Sequence, residues 1–324
     1  MANEKVRFGI ISTAKIGVEK VIPALQNSEL CEVVAIGSRH NDKAEKAAEK
    51  LGIARAYGTY EELLNDPDID AVYIPLPNHL HLPWILKSIK SGKHVLCEKP
   101  ITLNSEEAQR LLDESKNYPD IKIMEAFMYR FHPRWKRMYE LINKGEIGSL
   151  KTIHSFFSYY NDDPENIRNI AEMGGGGLMD IGCYSISLSR FLFGDEPKTV
   201  KGVMEKDSEF NTDRLTSGIL EFDSGTSVFT CSTQLYKDQF VIAYGTKGKI
   251  EMDWPFNPDP DQTTTLNIHS ENGSKTEEFP PSNHFTNQAD HFAQSILKNT
   301  EVPTPLTDAV ANMYVIDRLR EDSA

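Results

Sequence analysis

The sequence predicts an α/β fold in which a doubly wound parallel sheet is followed by a domain with a large, open, predominantly antiparallel sheet. Up to Met124, short apolar runs alternate with longer amphipathic ones, the pattern of parallel strands joined by crossover helices. After Glu125 this alternation stops, and strand-like runs follow one another. A chain of 324 residues is also longer than a domain built on one ordinary hydrophobic core. We therefore expect two domains, residues 1–124 and 125–324.

Five apolar runs in the first domain are continuous, as expected for strands that are buried on both faces of a sheet. They are Val6–Ile11, Val33–Gly37, Ala71–Ile74, His94–Glu98 and Lys122–Met124. Between them, capping and breaking residues delimit three helices. These helices run from Asn41 or Asp42 to Leu51, from about Pro83 to Gly92, and from Ser105 to about Asn117.

The second domain reads as strands separated by turns such as Asp223-Ser224-Gly225, with helices before, among and after them. The predicted strands are Leu150–Tyr159, Thr199–Met204, Ser217–Phe222, Ser227–Thr233, Phe240–Tyr244 and Ile250–Trp254. The predicted helices are Pro133–Asn143, an amphipathic Ser185–Phe193, Phe285–Lys298 and Thr307–Arg320. We expect the last two helices to pack at the domain junction.

Composition argues against several classes of function. The net charge of -13, without a compensating run of Lys or Arg, disfavours nucleic acid as a partner. No apolar run approaches the roughly 20 residues of a membrane-spanning helix, and no apolar signal segment precedes the first strand. The four cysteines form no Cys-x-x-Cys pair, which indicates reduced thiols in a cytoplasmic protein.

The turn after the first strand resembles a dinucleotide fingerprint. Gly9-Ile-Ile-Ser12-Thr13-Ala14-Lys15-Ile16-Gly17 matches Gly-x-Gly-x-x-Gly with Ser and Ala at the first two glycine positions. Small residues let the backbone approach a pyrophosphate, whose charge then lies at the amide end of the helix. This interpretation makes the first sheet a Rossmann domain, with cofactor contacts at Ser12, Thr13, Ala14 and Ile16. A plain strand-turn-helix without a ligand is the alternative.

The end of the second strand favours NADP over NAD. An NAD enzyme normally places Asp or Glu there to accept from the ribose hydroxyl, whereas this chain has Ser38 and Arg39. Ser38 can donate to a 2′-phosphate, and the guanidinium of Arg39 offers two parallel donors to its oxygens. A solvated arginine at a strand end is the alternative.

Polar residues follow two further strands, where the carboxyl ends of a parallel sheet form a ligand crevice. One group is Pro77-Asn78-His79-Leu80-His81, and the other is Glu98-Lys99-Pro100. A lysine directly after an apolar strand is a candidate catalytic residue, although a structural ion pair between Glu98 and Lys99 would also explain it.

The third candidate segment is glycine-rich and reads Gly174-Gly-Gly-Gly177-Leu-Met-Asp180-Ile-Gly-Cys-Tyr184. Asp180 and Tyr184 are four residues apart and would share one face of a helix. Tyr184 could instead be a core aromatic residue, and Asp180 a helix-start residue. Tyr159 and the following Asn and Asp residues could line a substrate pocket or form a plain turn. No His is paired with carboxylates at metal-ligand spacing, so we expect no metal.

Together with Glu125-Ala-Phe-Met-Tyr-Arg130-Phe-His-Pro133, these motifs resemble the glucose-fructose oxidoreductase / inositol dehydrogenase (Gfo/Idh/MocA) family over essentially the full chain. The Glu98-Lys99-Pro100 triplet is the most specific match. Inositol dehydrogenases carry His where this chain has Tyr184. The tyrosine resembles the sub-type that includes NADP-dependent xylose dehydrogenase and dimeric dihydrodiol dehydrogenase.

The resemblance implies an NADP-dependent enzyme that transfers hydride between nicotinamide C4 and a CH–OH carbon of a sugar, polyol or related cyclic substrate. Lys99 would hydrogen-bond the reacting oxygen while Tyr184 exchanges the proton, with Asp180 beside it. An ammonium about 4 Å away supplies roughly 4 kcal/mol at a dielectric of about 20, enough to bring a phenol near neutrality.

The remaining site residues are expected around this pair. Pro77, Asn78, His81 and Glu98 would contact the cofactor with Lys99. His79 would lie near the substrate mouth, and Arg130 would support the site from the domain junction. A trans-dihydrodiol dehydrogenase and a noncatalytic NADP-binding sensor are the alternative functions. One uncovered face of the antiparallel sheet predicts a homodimer or larger homo-oligomer.

Overall fold

A computed structural model describes residues 5–323, which divide into two compact units. Unit 1 comprises the described residues up to Met128 together with Asn283–Val310. Unit 2 comprises Tyr129–Ser282 and the described residues from Ala311. Residues 1–4, on which part of the expectation about a signal segment falls, and residue 324 lie outside the described residues.

Unit 1 contains a six-stranded sheet in which all neighbouring strands are parallel. The strands are β1 (Val6–Ile11), β2 (Cys31–Gly37), β3 (Arg55–Tyr57), β4 (Ala71–Ile74), β5 (His94–Cys97) and β6 (Ile123–Glu125). Their order, β3-β2-β1-β4-β5-β6, is that of the dinucleotide-binding Rossmann fold, with a topological switch between β1 and β4. The predicted fold of the first domain is therefore confirmed, with β3 as an additional strand.

The helices of this unit begin in different ways. They are α1 (Ile22–Gln26), α2 (Asn41–Leu51), α3 (Tyr60–Leu64), α4 (His81–Lys90) and α5 (Ser105–Ser115). Helices α3 and α5 begin with a side-chain cap, and α1, α2 and α4 begin without one. The Asn104 side chain accepts from the amide of Glu107 at 2.8 Å, and the Glu107 carboxylate accepts from the amide of Leu103 at 3.0 Å. This reciprocal cap fixes the start of α5. Helix α2 ends at Gly52, which adopts a left-handed conformation.

Unit 2 contains an eight-stranded sheet with the order β14-β13-β12-β11-β7-β10-β9-β8. Its strands are β7 (Leu150–Tyr160), β8 (Thr199–Lys206), β9 (Asp213–Glu221), β10 (Thr226–Ser232), β11 (Gln234–Gly245), β12 (Gly248–Asp253), β13 (Thr264–Ser270) and β14 (Gly273–Phe279). Only β7 and β10 are parallel neighbours, which confirms a predominantly antiparallel sheet. Strands β13 and β14 were not predicted, because polar residues dominate them.

Helices α6 (Pro133–Asn143) and α7 (Cys183–Phe193) belong to unit 2. The expectation that α7 is amphipathic is wrong, because Cys183–Arg190 is buried throughout. Its serines suggested a polar face, but they find partners inside the protein: Ser189 hydrogen-bonds Ser227 at 2.7 Å, and Ser187 hydrogen-bonds Tyr129 at 2.8 Å. Buried hydroxyls with partners are compatible with a core position.

The last two helices divide between the units. Helix α8 (His284–Leu297) packs in unit 1, where Phe292 contacts Phe8 and Thr286 donates to the carbonyl of Ala24 at 3.1 Å. Helix α9 (Leu306–Asp322) contributes its residues up to Val310 to unit 1 and the rest to unit 2. Within residues 5–323, no helix combines the length and the apolar character that a membrane span requires.

Candidate active site

The turn after β1 has the backbone geometry of a pyrophosphate-binding loop although serine replaces glycine. Ser12 has a φ of 126°, a conformation that glycine adopts readily and other residues rarely. Its amide donates to the carbonyl of Gly37 at 3.2 Å, and its hydroxyl accepts from the amide of Ala14 at 3.0 Å. Helical geometry begins directly afterwards, at residue 15. Thr13 and Ala14 are half-buried and Ile16 is exposed, so this helix start fits a dinucleotide phosphate.

The adjacent end of β2 carries the two residues predicted to select NADP. Ser38 is buried, and its amide donates to the carbonyl of Tyr57 at 3.0 Å. Arg39 is exposed. The hydroxyl of Tyr60, the first residue of α3, lies close enough to the side chains of Ser12 and Arg39 to interact electrostatically with both. These interactions connect the phosphate turn to the arginine and fit a cofactor that carries phosphate at both places.

Sequence reasoning missed Tyr60. It lies 6% exposed on a short helix that was not predicted, and burial raises the pKa of its hydroxyl. Its ring meets that of Trp84 edge-on at 4.9 Å. The available signal was the Thr59-x-x-Glu62 capping pattern, in which the Thr59 side chain accepts from the Glu62 amide.

Glu98 and Lys99 lie at the carboxyl end of β5, where both are half-buried. The amide of Glu98 donates to the carbonyl of Ile74 at 3.1 Å, which continues the pairing with β4. The fully buried Tyr73 donates from its hydroxyl to Oε1 of Glu98 at 2.7 Å. The carboxylate of Glu98 is thus anchored to β4, which sets the start of the lysine segment.

His81 is placed differently from the prediction of a cofactor contact. It is fully buried, with Nδ1 2.8 Å from the carbonyl oxygen of Pro100 and Nε2 2.7 Å from that of Leu76. Burial lowers its pKa to about 4, although both carbonyls favour a protonated ring. Because both nitrogens already face the backbone, His81 joins the segment after β4 to the segment after β5.

Its neighbours Pro77, Asn78 and His79 form the turn before α4 and are half-buried. Nδ1 of His79 is buried and makes no hydrogen bond to any described residue. A buried polar atom without a partner at a ligand crevice fits a bound group that supplies one. Pro77, Asn78 and His79 therefore remain candidates for cofactor or substrate contact.

Glu125 was predicted only as part of a motif, yet the structure places its carboxylate against the segment that follows Lys99. It ends β6 with 2% exposure, and its Oε1 accepts from the amide of Ile101 at 2.8 Å. The hydroxyl of Thr304 donates to its carbonyl at 3.2 Å. The signal was an acidic residue directly after the apolar run Lys122–Met124, at the carboxyl end of a parallel strand.

In unit 2, Asp180 lies in a π-helical turn, Leu178–Gly182, that leads into α7. The hydroxyl of Tyr159 donates to its Oδ2 at 2.6 Å, and Nε of Arg168 forms an ion pair with the same oxygen at 2.8 Å. Burial and the carboxylate raise the pKa of Tyr159, and the carboxylate raises that of Arg168. Arg168 was missed, because nothing in its local sequence distinguishes it from a loop arginine.

Tyr184 follows in the first turn of α7 and is 4% exposed. Its ring centroid lies 5.8 Å from those of Tyr129 and Phe157 and 5.1 Å from that of Phe256. Arg130 reaches the same region, donating from Nη2 to the hydroxyl of Ser187 at 2.8 Å. The phenol ring of Tyr184 is therefore packed in an aromatic cluster inside unit 2.

The glycines before Asp180 make room for a buried carboxylate. Asp213 accepts from the amide of Leu178 at 2.6 Å and from the hydroxyl of Thr216 at 3.1 Å, and burial raises its pKa to about 6. Gly176 has a φ of 110°, and a Cβ there would lie 2.0 Å from Oδ1 of Asp213. Among residues 5–323, no group of three His, Cys, Asp or Glu side chains could hold a metal ion.

Comparison with known proteins assigns the family. Residues 6–125 match the model of an oxidoreductase family with an NAD-binding Rossmann fold, Gfo/Idh/MocA, and residues 135–251 match the C-terminal domain model of the same family. The chain belongs to the Gfo/Idh/MocA oxidoreductase family. This confirms the predicted resemblance, the class of enzyme and the nicotinamide dinucleotide cofactor.

Several Gfo/Idh/MocA proteins are similar over nearly their whole length. Oxidoreductase ORF334 of Rhizobium meliloti is 42% identical over 98% of this chain and 97% of its own. D-xylose 1-dehydrogenase (NADP(+)) 2 of Haloferax volcanii is 38% identical over 98% of this chain and 97% of its own. The crystal structure of KijD10, a 3-ketoreductase from Actinomadura kijaniata in complex with NADP and TDP-benzene, superposes with a TM-score of 0.92 at 28% identity, covering 98% of both chains.

The two matched Gfo/Idh/MocA regions contain the two principal candidates. Lys99 lies in the part that matches the Rossmann model, and Tyr184 lies in the part that matches the C-terminal model. Relatives of this family are named as sugar dehydrogenases and ketoreductases. The chain is thus a member of an NAD(P)-dependent, sugar-related oxidoreductase family.

Proposed function

We propose that this protein transfers hydride between nicotinamide C4 of NADP(H) and a carbinol or carbonyl carbon of a sugar, polyol or related cyclic substrate. The observation that carries the proposal is the anchoring of Lys99 at the carboxyl end of β5 in a Gfo/Idh/MocA Rossmann domain. Its neighbour Glu98 is held by Tyr73, and Ile101 is held by Glu125. A lysine between fixed neighbours at this edge is suited to act on a reacting oxygen.

The proposal that the cofactor is NADP rests on Ser38 and Arg39. Neither is acidic, and Arg39 is linked through the Tyr60 hydroxyl to the phosphate turn at Ser12. A guanidinium offers paired donors to phosphate oxygens, which supports NADP over NAD. The names of the Haloferax xylose dehydrogenase and of the KijD10 complex, both of which include NADP, support the same choice.

When bound, NADP(H) supplies the hydride acceptor or donor at C4. Lys99 donates a hydrogen bond to the substrate oxygen and stabilises the charge that develops on it. In oxidation, the Tyr184 phenolate takes the hydroxyl proton as the carbon gives up its hydride. In reduction, the Tyr184 hydroxyl returns a proton to the oxygen as the carbon receives hydride. Asp180 and its partners hold the turn that presents Tyr184.

Two substitutions test this chemistry. Lys99→Met and Tyr184→Phe should each lower kcat by roughly 10²–10⁴-fold, the range of acid–base contributions. NADPH fluorescence titration should give largely unchanged Kd values, because neither group acts on the adenosine end, which supplies most of the binding contacts. Lys90→Met and Tyr139→Phe, at exposed positions, are matched controls. Full turnover in Lys99→Met would contradict the proposed chemistry.

The substrate is found by following NADP reduction at 340 nm, a general property of NADPH, over aldoses, inositols and trans-dihydrodiols. Selective turnover of aldoses or polyols supports the sugar assignment. Selective turnover of dihydrodiols assigns the protein to that branch instead. NADPH binding without turnover of any panel member, in either direction, would indicate a noncatalytic sensor.

We also propose a homodimer or larger assembly through the second sheet. Val203, Ile219 and Val228 lie on the same face of β8, β9 and β10, with exposures of 72%, 51% and 38%. Contiguous exposed apolar side chains on a sheet are typical of a subunit interface. Light scattering should give at least twice the chain mass of 36.6 kDa. Val203→Lys with Ile219→Lys should reduce it to a monomer.

A cytoplasmic location is part of the proposal. Cys31, Cys97, Cys183 and Cys231 all lie within the described residues, and none of them forms a disulfide. Thiols that stay reduced are typical of a reducing compartment. Cell fractionation tests this, and recovery of the protein outside the cytoplasm would contradict it.

A further inference from the structure

Tyr184 lies in surroundings that disfavour its phenolate. The side chain is 4% exposed, and the rings of Tyr129, Phe157 and Phe256 pack against it. Burial among aromatic rings removes water from a phenolate and makes ionisation costly. Asp180, four residues earlier, brings a negative charge to the same helix start. Both features oppose the use of Tyr184 as a base.

Arg168 offsets the second of these effects. Its Nε lies 2.8 Å from Oδ2 of Asp180; the carboxylate is 14% exposed and the arginine side chain 40% exposed, so solvent screens the pair only from the arginine side. The Tyr159 hydroxyl donates to the same oxygen at 2.6 Å. Arg168 also interacts electrostatically with Tyr184 itself. An ion pair, with a hydrogen bond to the same carboxylate, therefore lies beside the phenol.

Other charged or titratable groups surround this helix start in unit 2. They are Tyr129 and Arg130 before α6, Tyr159 on β7, Cys183 on α7, Asp213 on β9 and Cys231 on β10. Burial raises the pKa values of Cys231 and Asp213, which keeps both toward their neutral forms. Arg130 is bonded to Ser187 and Tyr129. Arg168 is in direct contact with Asp180.

We propose that Arg168 is a positioning residue that cancels the charge of Asp180 beside Tyr184 and so keeps ionisation of the phenol within reach of neutral pH. The role of Tyr184 as proton carrier rests on the proposed function, whereas the electrostatic coupling does not. Removing a negative charge beside Tyr184 favours its ionisation, which matters because an unperturbed phenol titrates near pH 10.

A double-mutant cycle at Arg168 and Asp180 tests this inference without substrate. The phenolate absorbance of Tyr184 is titrated as the difference between each protein and the same protein carrying Tyr184→Phe. Arg168→Met should raise the midpoint by roughly 1–2 pH units, the order of magnitude for one charge that is not in direct contact, at a dielectric of about 20. Adding Asp180→Asn should return the midpoint close to the wild-type value. Arg168→Lys, which keeps the charge, should shift it little.

The outcomes separate this inference from the proposed function. If the double variant titrates like Arg168→Met alone, or if Arg168→Met leaves the midpoint unchanged, Arg168 does not act through Asp180 and the inference fails. A merely structural role would lower thermal stability without rescue by Asp180→Asn. If the wild type turns over no substrate while the cycle behaves as expected, the proposed function fails and the coupling stands. With an active enzyme, the pH profile of kcat/KM should move in parallel.

Discussion

The carboxylate of Glu125 accepts a hydrogen bond from the backbone amide of Ile101, with 2.8 Å between Oε1 and N. One residue earlier, the carbonyl of Pro100 is bound by the imidazole of His81 at 2.8 Å. The peptide group between Pro100 and Ile101 is therefore held at both its carbonyl and its amide, by His81 at the start of α4 and by Glu125 at the end of β6. Both fixing side chains are buried, so the lysine segment is held by groups inside unit 1.

Replacing Glu125 with alanine should loosen this segment. Ile101 would lose its acceptor, which costs about 1–3 kcal/mol for a buried group left unsatisfied. We expect a lower free energy of unfolding in urea and faster hydrogen exchange at the Ile101 amide. Glu125→Gln keeps an oxygen at the same place and should retain most of the protection. Equal exchange rates in the alanine variant and the wild type would show that the contact does not hold the segment.

Asp213 should make stability depend on pH between about 4 and 7. Burial raises its pKa to about 6 in the folded state, above the usual value of 3.8. A folded-state pKa above the unfolded value contributes stability that is complete below about pH 4 and is lost as the pH rises through about 6. The difference corresponds to about 3 kcal/mol, an order-of-magnitude figure.

Asp213→Asn should remove this pH dependence, because an amide does not ionise. Its oxygen can still accept from the amide of Leu178, so the glycine-rich turn should remain folded. Urea unfolding at pH 4.5, 6 and 7.5 measures the effect, with the exposed Asp261→Asn as a matched control. A variant whose stability still falls between pH 4.5 and 7.5 as in the wild type would assign the dependence to another group.

Periodicity predicted the buried strands well because burial on both faces leaves continuous apolar runs. Strand β1 was predicted with its observed bounds, and β4 likewise. Strand β14 was not predicted, because its residues Gly273–Phe279 are mostly exposed and polar. Its pairing with β13 stabilises it instead. A strand formed mainly by backbone pairing leaves little hydrophobic pattern in the sequence.

The candidate site was predictable where chemistry is concentrated in one segment. Glu98-Lys99-Pro100 and the glycine-rich run to Tyr184 could be found in this way. Arg168 could not, since it meets Asp180 only through the folding of an irregular segment between β7 and α7. His81 was assigned to the cofactor because sequence position does not reveal that both ring nitrogens face backbone carbonyls.

At Ser12, the glycine variant should be more stable toward unfolding than the alanine variant, which is the reverse of the usual order. Its φ of 126° is rarely adopted by residues with a Cβ and costs on the order of 1–3 kcal/mol. Ser12→Gly relieves this strain, whereas Ser12→Ala keeps it and loses the hydrogen bond to Ala14. The glycine variant should therefore be more stable than the alanine variant by about 1–2 kcal/mol in urea unfolding. At Ser115, in the last turn of α5, alanine should be the more stable of the two.

Arg39 should contribute strongly to the preference for NADPH over NADH, and Tyr60 should contribute less. Charge-assisted hydrogen bonds contribute about 1.5–3 kcal/mol, so Arg39→Asp should weaken NADPH binding roughly 10–150-fold and leave NADH binding equal or improved. Tyr60→Phe removes only the hydroxyl that contacts Arg39 and Ser12. It should therefore weaken NADPH binding several-fold, with a smaller effect on NADH.

Fluorescence titration with NADPH and NADH measures these affinities without any substrate. Tyr57→Phe is a matched control, because it removes a hydroxyl from a neighbouring tyrosine that bonds Asp66 rather than Arg39. In the background of Arg39→Asp, Tyr60→Phe should have little further effect on the ratio of the two affinities, since the group it orients is gone. Independent, additive losses would mean that Tyr60 acts on the phosphate turn at Ser12 and not through the arginine.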